Sequence, residues 1–481
     1  MRTIGTVAVL ALAFAGTTAT ANITQDNAGK ANAVIDAAID AYGGAEKLGA
    51  IETVVVEADT TSWLVNQSRG TEAPWDQTVA KLYNAIDLKN ERFVSRNWGE
   101  GAGFEFNTGQ IINGEDSYQI DYRAETVAPV AAPDFDTTSG PMIRVTPLLL
   151  VRQLMDRRNT SHWLGTAEID GRAHDVVTLV MKVGPALSLY FDQETHLLTH
   201  SERVFGAFGL VGYDFDDYYE KDGLQLNKRF RLTLNGDLNL DWSYTAMEVD
   251  SGFDDRLTPP AALARIDAVT PDELSLQTIG DGVYLVGGSG TYAMFVEMDE
   301  YVVAIGGTAG ILERIAELRK KVPSKPIRYG VMTHHHSDHV LGVPAYAAEG
   351  ATVVIAQAHE AVMRNAAGDA GMPEFEFVGD SHVITDGTRR VELYDVGPTP
   401  HAEHILLPYL PDEGIVFQAD HVATPQTGAL PPAISGHRAL AEAMEKLGLK
   451  VTTVAGAHSP RLLTMDEFNA ARERDTRVAQ Q

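Results

Sequence analysis

The spacing of apolar residues changes twice along the chain, from helical to strictly alternating and then to a succession of short buried runs. Val34, Ile35, Ala38, Ile39 and Tyr42 recur near helical spacing, so a helix is expected over Ala31 to Leu48, broken by Gly43-Gly44. From residue 51 the period becomes two. Ile51 to Trp63, Val79 to Ile86, Arg92 to Trp98 and Ser117 to Tyr122 read as strands, with turn signals at Asn66 to Gly70 and Asn113-Gly114. A helix over Pro147 to Arg158 interrupts them. Strands resume at Ala173 to Val183, Leu187 to Asp192, His196 to Val204, Gly223 to Leu234 and Leu238 to Val249, which completes an antiparallel series.

Beyond residue 260 the pattern alternates strand with helix. Gly282 to Gly287, Ala293 to Met298 and Tyr301 to Ile305 are short apolar runs, and Thr308 to Val322 places Ile311, Ile315 and Leu318 on one helical face. A strand over Ile327 to Met332, a His-rich loop and a helix follow. Thr352 to Ala356 is a buried strand and His359 to Asn365 a helix; Arg390 to Val396, His404 to Tyr409, Gly414 to Gln418 and Val451 to Ala455 are later strands. All five tryptophans, Trp63, Trp75, Trp98, Trp163 and Trp242, precede Thr258-Pro259-Pro260. That shift, with the Pro-rich stretch from Asp254, sets the expected domains: residues 22–260, antiparallel and β-rich, and residues 261–481.

Composition narrows the setting. Met1-Arg2, the apolar run Ile4 to Ala15 and Ala19-Thr20-Ala21 have the layout of a secretory signal peptide, residues 1–21, too short for a spanning helix. A soluble periplasmic or secreted protein without a stable membrane anchor is expected. With no cysteine there is no disulfide, thiolate nucleophile or Cys-ligated zinc. A formal charge of −28 disfavours nucleic acid as a partner, because phosphate binding rests on clustered Lys and Arg.

The chemistry concentrates in Thr333-His334-His335-His336-Ser337-Asp338-His339. In an extended backbone side chains at i and i+2 share a face, so His334 and His336 can close on one cation while His335 points away. Asp338 and His339, expected to open the next helix, are placed to hold a second. Imidazole with carboxylate suits zinc or a similar divalent ion, although the donor set alone does not choose between zinc, iron and manganese. Gly287-Gly288-Ser289-Gly290 reads as a turn between strands; no helix with Lys follows it, as a phosphate loop requires.

On this loop and on Gly397-Pro398-Thr399-Pro400-His401, Val416-Phe417-Gln418-Ala419-Asp420 and Val454-Ala455-Gly456-Ala457-His458, the C-terminal half resembles the metallo-β-lactamase-fold hydrolases. The resemblance implies an αβ/βα four-layer sandwich with two Zn2+ ions. His334, His336 and His401 would hold one ion, Asp338, His339 and His458 the other, and Asp420 would bridge them. The Gly397 turn carries one Pro more than the usual form, so His404 competes with His401 for third place. His404 and His421 are also candidates for lining the site. The N-terminal half resembles the half-barrel of periplasmic lipoprotein carriers in its helix-then-meander pattern and in the turns at Asp192 to Leu198 and Lys221-Asp222-Gly223. Its tryptophans then pack a core or line a substrate or lipid cup.

These resemblances imply an exported hydrolase in which a hydroxide shared by two metals attacks a small-molecule substrate, with Asp338 and Asp420 handling its proton. Asp420 in the bridging place, and export, favour ester, lactone or related acyl substrates, apolar ones if the first domain forms a cup. A β-lactam hydrolase is the nearest alternative. A periplasmic lipid-binding protein with a structural metal domain is the alternative of another class.

Overall fold

The alternation that begins near residue 51 folds into one sheet. In the computed structural model, which describes residues 22–130, 133–206, 209–268, 272–368 and 371–474, the strands β1 (Thr53–Trp63), β2 (Gln77–Asp87), β3 (Arg92–Gly101), β4 (Phe104–Ile112), β5 (Tyr118–Asp121) and β6 (Thr126–Pro129) form one antiparallel meander. The expected leader, residues 1–21, lies outside the described residues. A second meander comprises β7 (Trp163–Ile169), β8 (Arg172–Leu179), β9 (Leu187–Asp192), β10 (Leu198–Val204), β11 (Leu210–Lys221), β12 (Leu224–Leu234) and β13 (Asp237–Val249). The meanders meet where β1 pairs with β13, Val54 opposite Val249. A short strand β14 (Ala264–Arg265) joins β6 in parallel, giving fourteen strands among the described residues.

One face of this sheet carries helices. Val54, Val56 and Ala58 of β1 are buried at every second position, the signature of a sheet with one covered face. Against them pack α1 (Ile23–Ala41), α2 (Ala45–Ala50), α3 (Phe135–Arg144) and α4 (Pro147–Asp156). The Asn22 side chain caps α1 by accepting from the Gln25 amide, and Ala31, Ile35, Ala38 and Ile39 form its buried stripe. Pro147 opens α4, where its missing amide hydrogen costs nothing, and Leu148, Leu149, Leu150, Val151 and Leu154 are buried. Truncating Leu150 to alanine there would cost roughly 2–5 kcal/mol. Trp163 and Trp242 pack against this core, whereas the guanidinium of Arg96 lies over Trp98 elsewhere on the sheet.

The C-terminal domain has two sheets. One orders β15 (Ser275–Gly280), β16 (Val283–Gly288), β17 (Thr291–Glu297), β18 (Val302–Ile305), β19 (Ile327–Val331), β20 (Thr352–Ala356) and β21 (Phe375–Val378). The other orders β22 (Ser381–Thr385), β23 (Arg390–Asp395), β24 (Leu406–Leu410), β25 (Ile415–Gln418), β26 (Thr453–Gly456) and β27 (Leu463–Thr464). Leu285, Met294, Val303, Val331, Leu393 and Phe417 share one core, drawn from both sheets. Phe295, Ala304 and Val353 join a second core with α5 (Ile311–Arg319), α6 (Val343–Glu349) and α7 (Glu360–Ala367). Leu407 and Val416 join a third with α8 (Ser435–Leu447) and α9 (Met465–Glu473). Strands such as β16 and β18 are therefore buried along their whole length, which is why they read as unbroken apolar runs.

The protein is thus two-domain and β-rich with helices. Three differences from expectation have physical causes. Asp338 and His339 do not open a helix: the His339 amide donates to the His336 carbonyl in a separate turn, and α6 starts only at Val343-Pro344. β4 and α3 were not expected; Gly109 interrupts the alternation of the first, and Gly140-Pro141 reads as a helix breaker in the second. Burial of Met142 and Ile143 and the Asp134 cap outweigh that local preference. Among the described residues no helix is long and apolar enough to cross a membrane.

Candidate metal centre

Four strand ends deliver the His and Asp side chains to one place. β19 runs into Thr333 to His336, where the Leu406 amide donates to the Thr333 carbonyl and so ties this loop to β24. β23 leads to the Gly397 turn; a Cβ on Gly397 would lie 2.0 Å from the Glu403 carbonyl oxygen, so only glycine lets this loop close. After β25, Gln418 folds back. Its Oε1 accepts from the His421 and Val422 amides and its Nε2 donates to the Val422 carbonyl, which turns Asp420 inward. β26 leads to His458, whose Nδ1 lies 3.3 Å from the Gly290 carbonyl in the β16–β17 turn.

These ends bring all seven expected side chains together in two groups. His334, His336, His401 and Asp420 place one ligand-type atom each within 4.8 Å of one another, and Asp338, His339 and His458 do the same. Asp420 belongs to both in effect. Its Oδ2 lies 3.0 Å from Nε2 of His334, 3.0 Å from Nε2 of His401 and 2.9 Å from Nε2 of His339, and its Oδ1 is 3.1 Å from Nε2 of His458. Asp338 Oδ2 lies 3.2 Å from Nε2 of His339 and 3.5 Å from that of His458.

Protein hydrogen bonds alone do not satisfy this arrangement. Three imidazole nitrogens converge on one carboxylate oxygen, and Nδ1 of buried His336 has no protein partner. A shared cation does satisfy it. With bonds of about 2.0–2.1 Å, two nitrogens on a tetrahedral zinc stand roughly 3.4 Å apart. The His334 and His401 nitrogens are 3.1 Å apart and those of His339 and His458 are 3.2 Å apart.

Electrostatics divides the two groups. Burial, reinforced by the neighbouring imidazoles, holds His334 well below its ordinary range and pushes His336 down to about 3, so each of these two rings is neutral and presents one lone-pair nitrogen. Burial opposes ionisation of His339 and His458 too. The charge of Asp420 and hydrogen bonds to Asp338 and Asp420 nevertheless lift them to about 9 and about 10. Against the cost of burial, His339 and His458 hold the Asp338 carboxyl far below the usual range, and His339 with His334 does the same for Asp420.

The remaining candidates lie outside the two groups. Nδ1 of His404 is 2.6 Å from Oδ2 of Asp395, and its side chain is 46% exposed, so His401 and not His404 converges on Asp420. His421 is buried with neither ring nitrogen paired, its centroid 6.5 Å from that of His401, and burial pushes it down to about 4. His335 turns away as expected and stands 4.9 Å from His359, ring to ring.

Sequence reasoning missed the first domain's share. Gln67 Nε2 donates to Asp338 Oδ1 at 2.8 Å, and Nε2 of His336 lies 2.9 Å from the Ser68 carbonyl. Phe104, in the β3–β4 hairpin, stands against His401. Asn66 to Gly70 shows only turn-forming composition, which says nothing of what the turn touches.

The sequence model of the family described as the metallo-beta-lactamase superfamily matches residues 287–458. Among solved structures, a metallo-beta-lactamase from Pontibacter korlensis is 19% identical over 43% of this chain and 99% of that one, with a TM-score of 0.34. A metallo-beta-lactamase from Pseudomonas aeruginosa is 18% identical over 44% and 97%, at 0.34. One from Hirschia baltica is 18% identical over 43% and 97%, at 0.33. No curated protein matches the chain. The family match, together with the strand ends that carry the seven side chains, identifies residues 287–458 as a region of metallo-beta-lactamase fold.

Proposed function

We propose that this chain is a metal-dependent hydrolase with a binuclear centre, acting on esters, lactones or related acyl compounds. The observation that carries this reading is Asp420, whose two oxygens reach His residues of both ligand groups. His334, His336 and His401 would hold one divalent ion, and Asp338, His339 and His458 the other, with zinc favoured by the donor set. Bound there, two divalent ions supply Lewis acidity and a hydroxide nucleophile at neutral pH.

The residues themselves do the rest. Asp420, almost wholly enclosed, orients both groups, while Asp338 is half-exposed and its Oδ2 faces the second group. Asp338 is the carboxylate placed to take a proton from the attacking water and return it to the leaving oxygen. Phe104, 40% exposed and edge-on to His401, gives the centre an apolar border that suits an acyl chain.

The finer architecture follows the same reading. The central core with helices on both outer sides fits an αβ/βα four-layer sandwich, and the meander holding α1 and α4 fits a half-barrel. Residues 1–21 are read as an export signal, residues 22–260 and 261–481 as the domains, and the periplasm or exterior as the location. A small molecule is the partner, and the charge of −28 argues against nucleic acid.

Elemental analysis of the purified protein and a panel of acyl esters, lactones, sulfates and β-lactams, assayed with Zn2+, test the reading. Selective sulfate cleavage would overturn the acyl assignment, and cephalosporin turnover would favour a β-lactam hydrolase. Lipid binding with no turnover would leave the metal structural.

A further inference from the structure

The loop between β1 and β2 is laid against the two segments that carry five of the seven ligand-type side chains. The Ser337 amide donates to the Asn66 carbonyl at 3.1 Å and the Glu403 amide to the Arg69 carbonyl at 2.9 Å. His335 Nε2 lies 3.1 Å from the Gly70 carbonyl. The loop is held in shape from within. Buried Ser68 donates its hydroxyl to the Leu64 carbonyl and accepts from the Asp76 amide at 2.7 Å, and Asp76 accepts from both the amide and the guanidinium of Arg69.

Two of its contacts reach ligand atoms. A carbonyl only accepts, so the hydrogen of the His336 ring sits on Nε2, facing Ser68, and the lone pair is left on Nδ1. That nitrogen has no protein partner, and His336 belongs to the first group. The Gln67 amide holds Oδ1 of Asp338 at 2.8 Å and the Ser337 hydroxyl at 2.9 Å, so that Oδ2 is presented to His339 and His458.

We propose that the β1–β2 loop of the first domain is part of the metal centre: Gln67 positions Asp338 for the second ion, and the Ser68 carbonyl fixes the nitrogen that His336 turns to the first. The proposal rests on the binuclear reading above. Groups that orient a ligand from behind commonly change metal affinity by about 10- to 100-fold. In a hydrolase of this form, the first domain is then a component of the site and not an accessory to it.

The test is stepwise competition for Zn2+ against a chromophoric chelator, using the full chain and Gln67→Met, which keeps the side-chain length and loses the donor. The expected result is a second equivalent weakened about 10- to 100-fold with the first changed less than about threefold. A general loss of fold would weaken both and lower the melting temperature. Equal affinity of both equivalents in the variant and the unmodified chain overturns the proposal. If the unmodified chain takes up fewer than two equivalents, the binuclear reading fails instead, and the proposal with it. Should Gln67→Met not fold, Asp76→Asn, which keeps the size of a residue that hydrogen-bonds only within the loop, carries the test. A loosened first equivalent supports the proposal, and unchanged uptake of both overturns it.

Discussion

The ring of Phe104 stands edge-on to that of His401, their centroids 5.1 Å apart at 86°. It comes from the tip of the β3–β4 hairpin, where a Cβ on Gly103 would lie 3.3 Å from Pro400 and 3.4 Å from the His401 amide nitrogen. The hairpin can approach this closely because Gly103, at φ +86°, has no side chain to hold it off. If the substrate is an apolar acyl compound, Phe104 is the first apolar surface it meets beside the centre. Replacing it with alanine is expected to lower kcat/KM for a long-chain ester about 5- to 30-fold, equivalent to roughly 1–2 kcal/mol of lost burial. Acetyl esters should be little affected and metal content unchanged. Steady-state kinetics across a chain-length series would expose the opposite outcome, a uniform loss.

His401 and His404 offer a sharper contrast. Only His401 points at Asp420, while His404 is engaged with Asp395. His401→Ala is expected to remove one metal equivalent and most turnover, whereas His404→Ala keeps both equivalents. Metal analysis of the two purified variants decides it; loss of metal in the second would exchange their roles.

Chelation should destabilise the fold. Without cations the centre keeps Asp420 facing several imidazoles in a buried space, and ligands that bind only the folded state add stability by mass action. At free Zn2+ a thousandfold above the dissociation constant, one site contributes about 4 kcal/mol. Thermal unfolding with and without a chelator should therefore differ by several degrees. A superimposable pair of curves would mean that the site holds no metal.

His437 predicts an acid-sensitive core away from the centre. It is buried in α8 with its ring 4.1 Å from that of Phe468, and burial, with Arg472 and Arg438 nearby, pushes it down to about 4 from an ordinary 6.5, offset in part by a hydrogen bond to the Phe468 backbone. The unfolded chain binds this proton first as the pH falls. The stabilisation is therefore complete above 6.5 and is lost progressively towards 4. Between pH 7 and pH 5 the loss should be about 2 kcal/mol, and His437→Leu should remove that part of the slope. Urea unfolding of both chains at the two pH values measures it; parallel slopes would show that His437 titrates normally.

What could be read from the sequence follows from the range of each cause. The seven ligand-type side chains were legible because ligand chemistry restricts residue type, and apolar runs ending just before His334, Asp420 and His458 place them at strand ends. α8 goes beyond the expected elements, although Leu440, Ala441 and Met444 at helical spacing are a local signal for it. The role of Gln67 had no such signal, since its partner Asp338 lies 271 residues away and nothing near Gln67 marks it as other than a turn residue. From sequence His401 is already the preferred third candidate, with His404 three residues on as its competitor. The structure pairs His404 with the Asp395 carboxylate just before β24, while His401 faces Asp420.

The pairing of β1 with β13 bears on how the first domain assembles. Each meander is built from strands adjacent in sequence, but the seam joins residue 54 to residue 249, so the first strand of one meander waits for the final strand of the other. Closing so large a loop carries an entropic penalty that neither half bears alone, and pairings of that separation form late. During synthesis one edge of β1 stays unpaired until nearly the whole sheet has emerged, and it is then that the chain is most open to pairing with another copy of itself.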